Sequence, residues 1–330
     1  MAKTGIATND AETVKLWSEK VFRDIAKTSY LTRFMGSDAG SVCQVKTDLE
    51  KAKGDRIRFA LIPRLASGGG VTEGQTLEGN EDKLTDYTYD LELSQLRKAV
   101  RDNGAMTRQR AMFDVSSEQE YALKTWTTEE IDRQGFLALE TSPTKIFYGD
   151  GTTTATVTTS GKITTTLISK MKAWAEIGGN RAQTPLQPVM VNGKKHYILL
   201  VHPEVGFDLK EDTKWQAAQQ YGNVRGESNP LFTGALGMWD NVIVHTHENV
   251  GLVDTWGSGG NVHGAKCSFL GAQALVWGWG ERPTFVMEDF DYKNEKGIGM
   301  NMIYGVGKPK FNSLDYGSMA LYVACTDVTA

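Results

Sequence analysis

The sequence predicts an α+β fold made of an N-terminal arm, an extended β-hairpin, a long helix and a mixed α/β domain. Residues 55–98 contain two alternating segments around a long glycine-rich connection, and residues 107–140 contain few helix breakers. From residue 164 onward, helical and strand periods alternate along the chain. With 330 residues and 40% hydrophobic content, the chain can build one large domain or two modest ones.

The N-terminal arm is predicted as a helix from Asp10 to Met35. Apolar residues recur there near helical spacing, Asp10 can cap the first turn, and Gly36 ends the segment. Two apolar positions of this stripe, Trp17 and Phe22, could face the core of their own chain or a neighbouring subunit.

The extended hairpin is predicted to have one apolar face and one charged face. Apolar residues alternate with charged or polar residues on both strands, so one face requires burial. Strands of about eight residues would project by roughly 25 Å, and an isolated hairpin is marginally stable in water. We therefore expect the apolar face, together with the arm, to contact a neighbouring copy of the chain. The predicted contact residues are Trp17, Phe22, Phe59, Leu61, Tyr87, Tyr89, Leu91 and Leu93.

The segment 107–140 is predicted to form one helix that approaches 50 Å, at about 1.5 Å per residue. A helix of this length indicates a strut, and Glu129 and Arg133 are spaced for an i,i+4 ion pair. Farther along, the apolar run 197–201 predicts a central strand that is buried on both faces. A helix opens at Pro203, and the last forty residues alternate again as strands.

Composition excludes several classes of protein. The net charge of −4 gives no basic excess for a dedicated nucleic-acid binder. The three cysteines are far apart and contain no CxxC pair, which favours buried reduced thiols over a disulfide framework or zinc ribbon. The N-terminus has no apolar signal-peptide core, and no apolar run is long enough to span a membrane.

Tests for catalytic and binding motifs mostly fail. Gly161-Lys162 lacks the rest of a phosphate-binding loop. Gly305-Val306-Gly307 matches only the first part of the glycine motif that binds nucleotides and lacks its third glycine. No Gly-x-Ser-x-Gly motif is present. The residues with metal-ligand chemistry are His245, His247, His263 and Cys267, and the favoured interpretation is an exposed strand end. The sequence therefore predicts a protein that is not an enzyme, with no catalytic residue, cofactor or metal.

The order of elements resembles a tailed-phage major capsid protein with the Hong Kong ninety-seven phage fold, and is similar in particular to the phage N-four-type family. The residues that carry this resemblance are Leu16-Trp17-Ser18 through Phe34, Lys53-Gly54-Asp55, Glu73-Gly74, Glu78-Gly79-Asn80-Glu81, Asp86-Tyr87-Thr88-Tyr89, His202-Pro203, Asp208-Leu209-Lys210, Phe232-Thr233-Gly234-Ala235-Leu236-Gly237, Val242-Ile243-Val244 and Asn249-Val250.

This resemblance implies a chain that assembles into the pentamers and hexamers of an icosahedral head around double-stranded DNA. The virion would be its location and the bacterial cytoplasm its place of synthesis. Its DNA contact would be weak and nonspecific, and scaffolding, portal and cement or decoration proteins are further candidate partners, with no membrane. The implied regions are an N-terminal arm (1–36), an extended loop with its base strands (37–100), a spine helix and peripheral domain (101–162), an axial domain (163–290) and C-terminal strands that return to the peripheral domain (291–330).

Three alternatives stay open from the sequence. An encapsulin-like shell of a cellular compartment would use the same fold and hold a cargo enzyme instead of DNA. A metal-dependent hydrolase would use His245, His247 and His263. An extracellular adhesin or carbohydrate-binding module conflicts with the long strut helix and the missing signal peptide.

Overall fold

The computed structural model describes residues 29–47, 54–61, 70–81, 86–111, 113–178, 185–191, 193–222 and 235–329. The predicted arm helix, with Trp17 and Phe22, lies outside these ranges except for its end. There, Leu31–Phe34 forms a 3-10 turn with two buried apolar side chains. No helix of the described ranges is long and apolar enough to span a membrane.

Helices form a minor part of the described chain. They are α1 (Ala105–Arg110), α2 (Val115–Glu140), α3 (Thr165–Ile177), α4 (Pro203–Glu211) and α5 (Thr213–Gly222). The strands are β1 (Met35–Gly36), β2 (Cys43–Lys46), β3 (Arg56–Leu61), β4 (Tyr87–Glu92), β5 (Ser94–Arg101), β6 (Ile146–Tyr148), β7 (Val189–Val191), β8 (Lys194–Val201), β9 (Ala235–Trp239), β10 (Val242–Thr246), β11 (Leu252–Trp256), β12 (Val262–Leu270), β13 (Leu275–Phe290), β14 (Glu295–Gly307), β15 (Lys310–Phe311), β16 (Leu314–Asp315) and β17 (Ser318–Ala324).

The strands form two larger sheets and two isolated pairs. The larger sheet follows the order β6-β17-β12-β8-β10-β9, with β11 beside β12 and β7 beside β8. The other follows β1-β2-β13-β14-β5, while β15 pairs β16 and β3 pairs β4. This mixture of helices with parallel and antiparallel strands confirms the predicted α+β class.

The described residues divide into two compact units. One contains residues 97–111, 113–129 and 283–301. In it the Asp102 carboxylate binds the start of α1, accepting from the backbone N–H of Gly104 and from the Arg108 guanidinium. The ammonium of Lys98 lies 4.1 Å from the centre of the Trp126 ring, a cation–π contact.

The other unit contains the remaining described residues, and its core is the larger sheet. The predicted central strand is confirmed, because β8 lies between β12 and β10 and its residues from 196 to 201 are buried. His202 caps α4 by accepting from the Glu204 N–H, and Pro203 occupies the first turn, as the sequence predicts. The predicted C-terminal alternation is confirmed only in part. Along β14, Met300, Met302 and Tyr304 are buried and alternate with less buried residues, whereas every residue of β17 is buried because that strand lies between β6 and β12.

The predicted continuous helix 107–140 is wrong. The chain is extended at Ala111, and α2 begins anew at Val115, so the longer helix has 26 residues and spans about 39 Å. Asp114 explains the break, because its carboxylate accepts from the Ser116 N–H and the Ser117 hydroxyl and so caps a new helix.

The predicted ion pair on this helix is also replaced. Arg133 donates from Nε and Nη2 to the Glu130 carboxylate, at 2.8 and 2.6 Å, and not to Glu129. Glu130 is buried, whereas Glu129 is exposed. A buried carboxylate needs a charged partner and therefore outcompetes an exposed one for the same arginine.

Candidate assembly hairpin

The β3/β4 pair is antiparallel and keeps its apolar residues on one face, as the alternation predicts. Six positions pair on each strand, and apolar residues lie opposite apolar residues. The apolar pairs are Ile57 with Leu91, Phe59 with Tyr89, and Leu61 with Tyr87. Because side chains alternate across a strand, these six residues share one face of the hairpin.

The opposite face carries two cross-strand ion pairs. Arg56 reaches Glu92 at 2.6 Å, and Arg58 holds Asp90 with two parallel bonds of 2.6 and 2.7 Å. The hydrogen bond from the Arg58 guanidinium lowers the pKa of Asp90 below its ordinary value. Both pairs are exposed, so they fix the strand register more than they contribute to stability.

The base of the hairpin is buried within its own chain. Ile57 and Leu91 are only 7% and 3% exposed, and with Val276 of β13 they form a small core. Phe59 and Tyr89 pack against this core, and burial raises the pKa of the Tyr89 phenol. The lower half of the apolar face is therefore covered by the protein's own sheet.

Glycines of β13 and β14 make this close packing possible. A β-carbon on Gly278 would lie 2.7 Å from the Ile57 side chain. A β-carbon on Gly305 would overlap the Glu92 carbonyl oxygen, and one on Gly307 would overlap the Tyr89 hydroxyl. These three glycines, called the glycine floor below, let the hairpin base approach the sheet backbone more closely than any side chain would allow.

The described part of the hairpin tip, residues 70–81, is turned toward solvent. Nearly all of its residues are exposed, and Leu77 exposes 65% of its surface. Its hydrogen bonds run between its own residues, such as Asn80 Nδ2 to the Thr76 carbonyl at 2.9 Å. Gly74 and Gly79 have positive φ angles of 93° and 84°, which only glycine adopts readily.

The eight predicted contact residues fall into three groups. Leu91 is buried and Leu93 packs on the same small core, so both support the hairpin within its own chain. Phe59, Leu61, Tyr87 and Tyr89 keep part of their surface exposed. Trp17 and Phe22 lie outside the described residues. Their contacts with another subunit stay a prediction.

The histidines predicted for the alternative hydrolase do not form one site. His245 lies edge-on to Tyr30 and Phe34, with ring centres 5.7 and 5.5 Å apart, and His247 stacks on Phe136 at 4.6 Å. His263 instead contacts Glu204 and Asp254. Aromatic contacts therefore account for the first two histidines.

The described cysteines are free and buried, as predicted. Burial raises the pKa of Cys43 and of Cys267 to about 12. A thiol with so high a pKa is neutral at physiological pH and a poor nucleophile.

Comparison with known proteins settles the family. Residues 5–140 and 141–328 match the family described as phage capsid protein. The chain belongs to the phage capsid protein family. A curated relative, the major capsid protein of Pseudomonas phage KPP25, is 29% identical, with 96% of each chain covered.

Solved phage capsids share the fold of this capsid protein. The capsid of Ralstonia phage GP4 aligns with a TM-score of 0.86 and 27% identity over 99% of each chain. The capsid of cyanophage Pam1 aligns with a TM-score of 0.83 and 22% identity, over 98% of this chain and 99% of the other. The predicted phage capsid fold and the function of a major capsid protein of an icosahedral phage head are thus confirmed, and the cellular shell and the hydrolase gain no support.

Sequence reasoning missed the glycine floor. Its signal was present, because Gly278-Trp279-Gly280 and Gly305-Val306-Gly307 each place two glycines on one face of a strand. Paired glycines at that spacing indicate close approach of another backbone. The second pair was tested only as a nucleotide-binding fragment.

Proposed function

We propose that the β3/β4 hairpin of this capsid protein extends onto a neighbouring subunit, and that repeated contacts of this kind close the chains into hexamers and pentamers. The observation that carries the proposal is the gradient of exposure along the hairpin. Its base is buried in its own chain, its middle is half-buried, and its tip is exposed. A hairpin anchored at one end and exposed at the other presents a surface to a second molecule.

The charges of the hairpin support a copy of the same chain as the partner. The exposed face already pairs its arginines with its own carboxylates, so it carries no net positive charge to attract DNA. The surface that remains available for contact with another molecule is apolar and includes Leu61, Tyr87 and Leu77. When one patch contacts a different patch on the next copy, rotation about an axis closes a ring.

The finer assignments rest on the family. The proposed shell encloses double-stranded DNA, as the resemblance implies, and an acidic chain with net charge −4 would hold the genome without strong phosphate contacts. Synthesis in the bacterial cytoplasm and contacts with scaffolding, portal and decoration proteins belong to the same proposal. So does the absence of enzymatic activity.

The substitution Leu77→Asp tests the proposal. Because Leu77 is exposed in the subunit, its replacement should leave the free energy of unfolding within about 0.5 kcal/mol of the original. A charge buried against a neighbour should lower the yield of assembled particles at least about tenfold. Sedimentation and electron microscopy measure that yield, and thermal unfolding of the unassembled subunit checks its fold.

The matched control is Val328→Asp, since Val328 is 56% exposed and lies outside the hairpin. It should assemble in normal yield. Normal yield of particles from Leu77→Asp would contradict a role for the tip in assembly. Tyr89 is a weaker probe, because it packs on the hairpin base of its own chain.

A further inference from the structure

Three residues with metal-ligand chemistry meet in a place that the assembly hairpin does not use. Glu204 lies in the first turn of α4, His263 lies on β12, and Cys325 follows β17. Their ligand atoms all lie within 4.8 Å of one another. Glu204 Oε2 is at the centre, 2.6 Å from His263 Nε2 and 3.7 Å from Cys325 Sγ.

The cluster is shielded, but solvent can reach it. Glu204 and Cys325 are only 5% and 7% exposed, while the His263 side chain keeps 21% of its surface exposed. A carboxylate, an imidazole and a thiol that lie this close together, with little exposure to water, form a candidate set of metal ligands. The exposed part of the His263 side chain gives an ion access to them.

A fourth residue orients the imidazole. The Asp254 carboxylate on β11 hydrogen-bonds Nδ1 of His263, the ring nitrogen that faces away from Glu204. Metal-binding histidines characteristically donate one ring N–H to a carboxylate, which directs the lone pair of the other nitrogen at the metal. This contact is independent of the three ligand atoms and points to the same site.

The distances suit a small tetrahedral ion. With zinc bonds of about 2.0–2.3 Å, ligand atoms stand roughly 3.3–3.6 Å apart. Sγ and Oε2 are already 3.7 Å apart, and the distance between Nε2 and Oε2 would increase by roughly 0.7 Å as the ion replaces their hydrogen bond. Sγ and Nε2 lie within 4.8 Å of each other, so binding would bring them closer by at most roughly 1.3 Å. His202 Nδ1 is also near, 3.8 Å from Glu204 Oε2, but it accepts the Glu204 backbone N–H as the helix cap.

We propose that Glu204, His263 and Cys325 form a zinc site, with Asp254 orienting the histidine and water completing the tetrahedron. Mixed sulfur, nitrogen and oxygen ligands select zinc over magnesium or calcium, which prefer oxygen alone. The ion ties the end of the last strand to α4 and β12, three segments that are far apart in sequence. Its binding stabilises the folded subunit because the ligands are separated in the unfolded chain.

Cobalt absorption spectroscopy of the purified subunit tests this site. Co²⁺ added to one equivalent should give a sulfur-to-cobalt charge-transfer band in the near ultraviolet, and Zn²⁺ should abolish that band. Zn²⁺ at a hundred times its dissociation constant should also raise Tm by roughly 5 °C. No charge-transfer band at one equivalent of Co²⁺ overturns the proposal.

Variants assign the ligands. Cys325→Ser should lose the charge-transfer band, whereas Cys43→Ser, which removes a buried thiol on β2, should keep it. Asp254→Asn should keep the band but weaken Co²⁺ binding about 10–100-fold. If Cys325→Ser does not fold, His263→Asn with the same readout replaces it and should also weaken binding. A band that survives in Cys325→Ser, or affinity unchanged in both Asp254→Asn and His263→Asn, overturns the assignment.

Discussion

The base and the tip of the β3/β4 hairpin belong to one continuous segment of the chain, yet they have opposite surroundings. At the base, Ile57 and Leu91 are buried on Val276 above the glycine floor. At the tip, Leu77 is exposed and the hydrogen bonds stay within the loop. The difference shows that an alternating pattern marks a face for burial without saying which molecule buries it. Three predictions test this division between anchor and contact surface.

The largest effect on stability is expected from Leu91→Ala. Removing a fully buried leucine leaves a cavity in the small core at the base and should cost about 2–5 kcal/mol of unfolding free energy. Leu77→Ala is the matched change at the tip and should cost less than about 0.5 kcal/mol. Urea unfolding of unassembled subunits measures both values. Equal losses from the two variants would remove the distinction between base and tip.

A smaller loss is expected from Gly305→Ala. The new methyl group overlaps the Glu92 carbonyl oxygen, so the hairpin base must lift from the sheet, at a cost of about 1–3 kcal/mol. The matched control is Gly299→Ala on the same strand, where a β-carbon meets its nearest neighbour at 3.9 Å. Thermal unfolding should separate the two variants. Identical Tm values for both would show that the glycine floor does not set the hairpin's position.

The smallest effect is expected from the ion pair between Arg58 and Asp90. Because folding lowers the pKa of Asp90, the pair contributes stability above the unfolded pKa of about 3.9. That contribution is lost as the pH falls through the lower folded pKa. Asp90→Asn should therefore reduce the urea midpoint slightly at pH 7 and less near pH 3. A difference of the same size at both pH values would contradict this interpretation.

The histidines show why the candidate site could be predicted only in part. His245 and His247 are two residues apart on or next to a strand, a spacing at which both could bind one metal ion. In the structure they contact aromatic rings instead. His263 binds Glu204, which is 59 residues away in sequence. Sequence spacing reports neighbours along one element, whereas this contact depends on how α4 and β12 are placed by the sheet.

The sequence by itself determined the strand alternation of the hairpin, the central position of β8 and the cap of α4. Each depends on residues close in sequence or on one hydrophobic period, and such local preferences survive folding. It also carried the resemblance to phage capsid proteins, which the family match confirms.

Only the tertiary structure decided the choice of Glu130 by Arg133, the glycine floor and the Glu204–His263–Cys325 cluster. In each, the outcome depends on competition between groups for burial or for one partner. Desolvation and close packing set that competition, and both are defined only when distant segments of the chain meet.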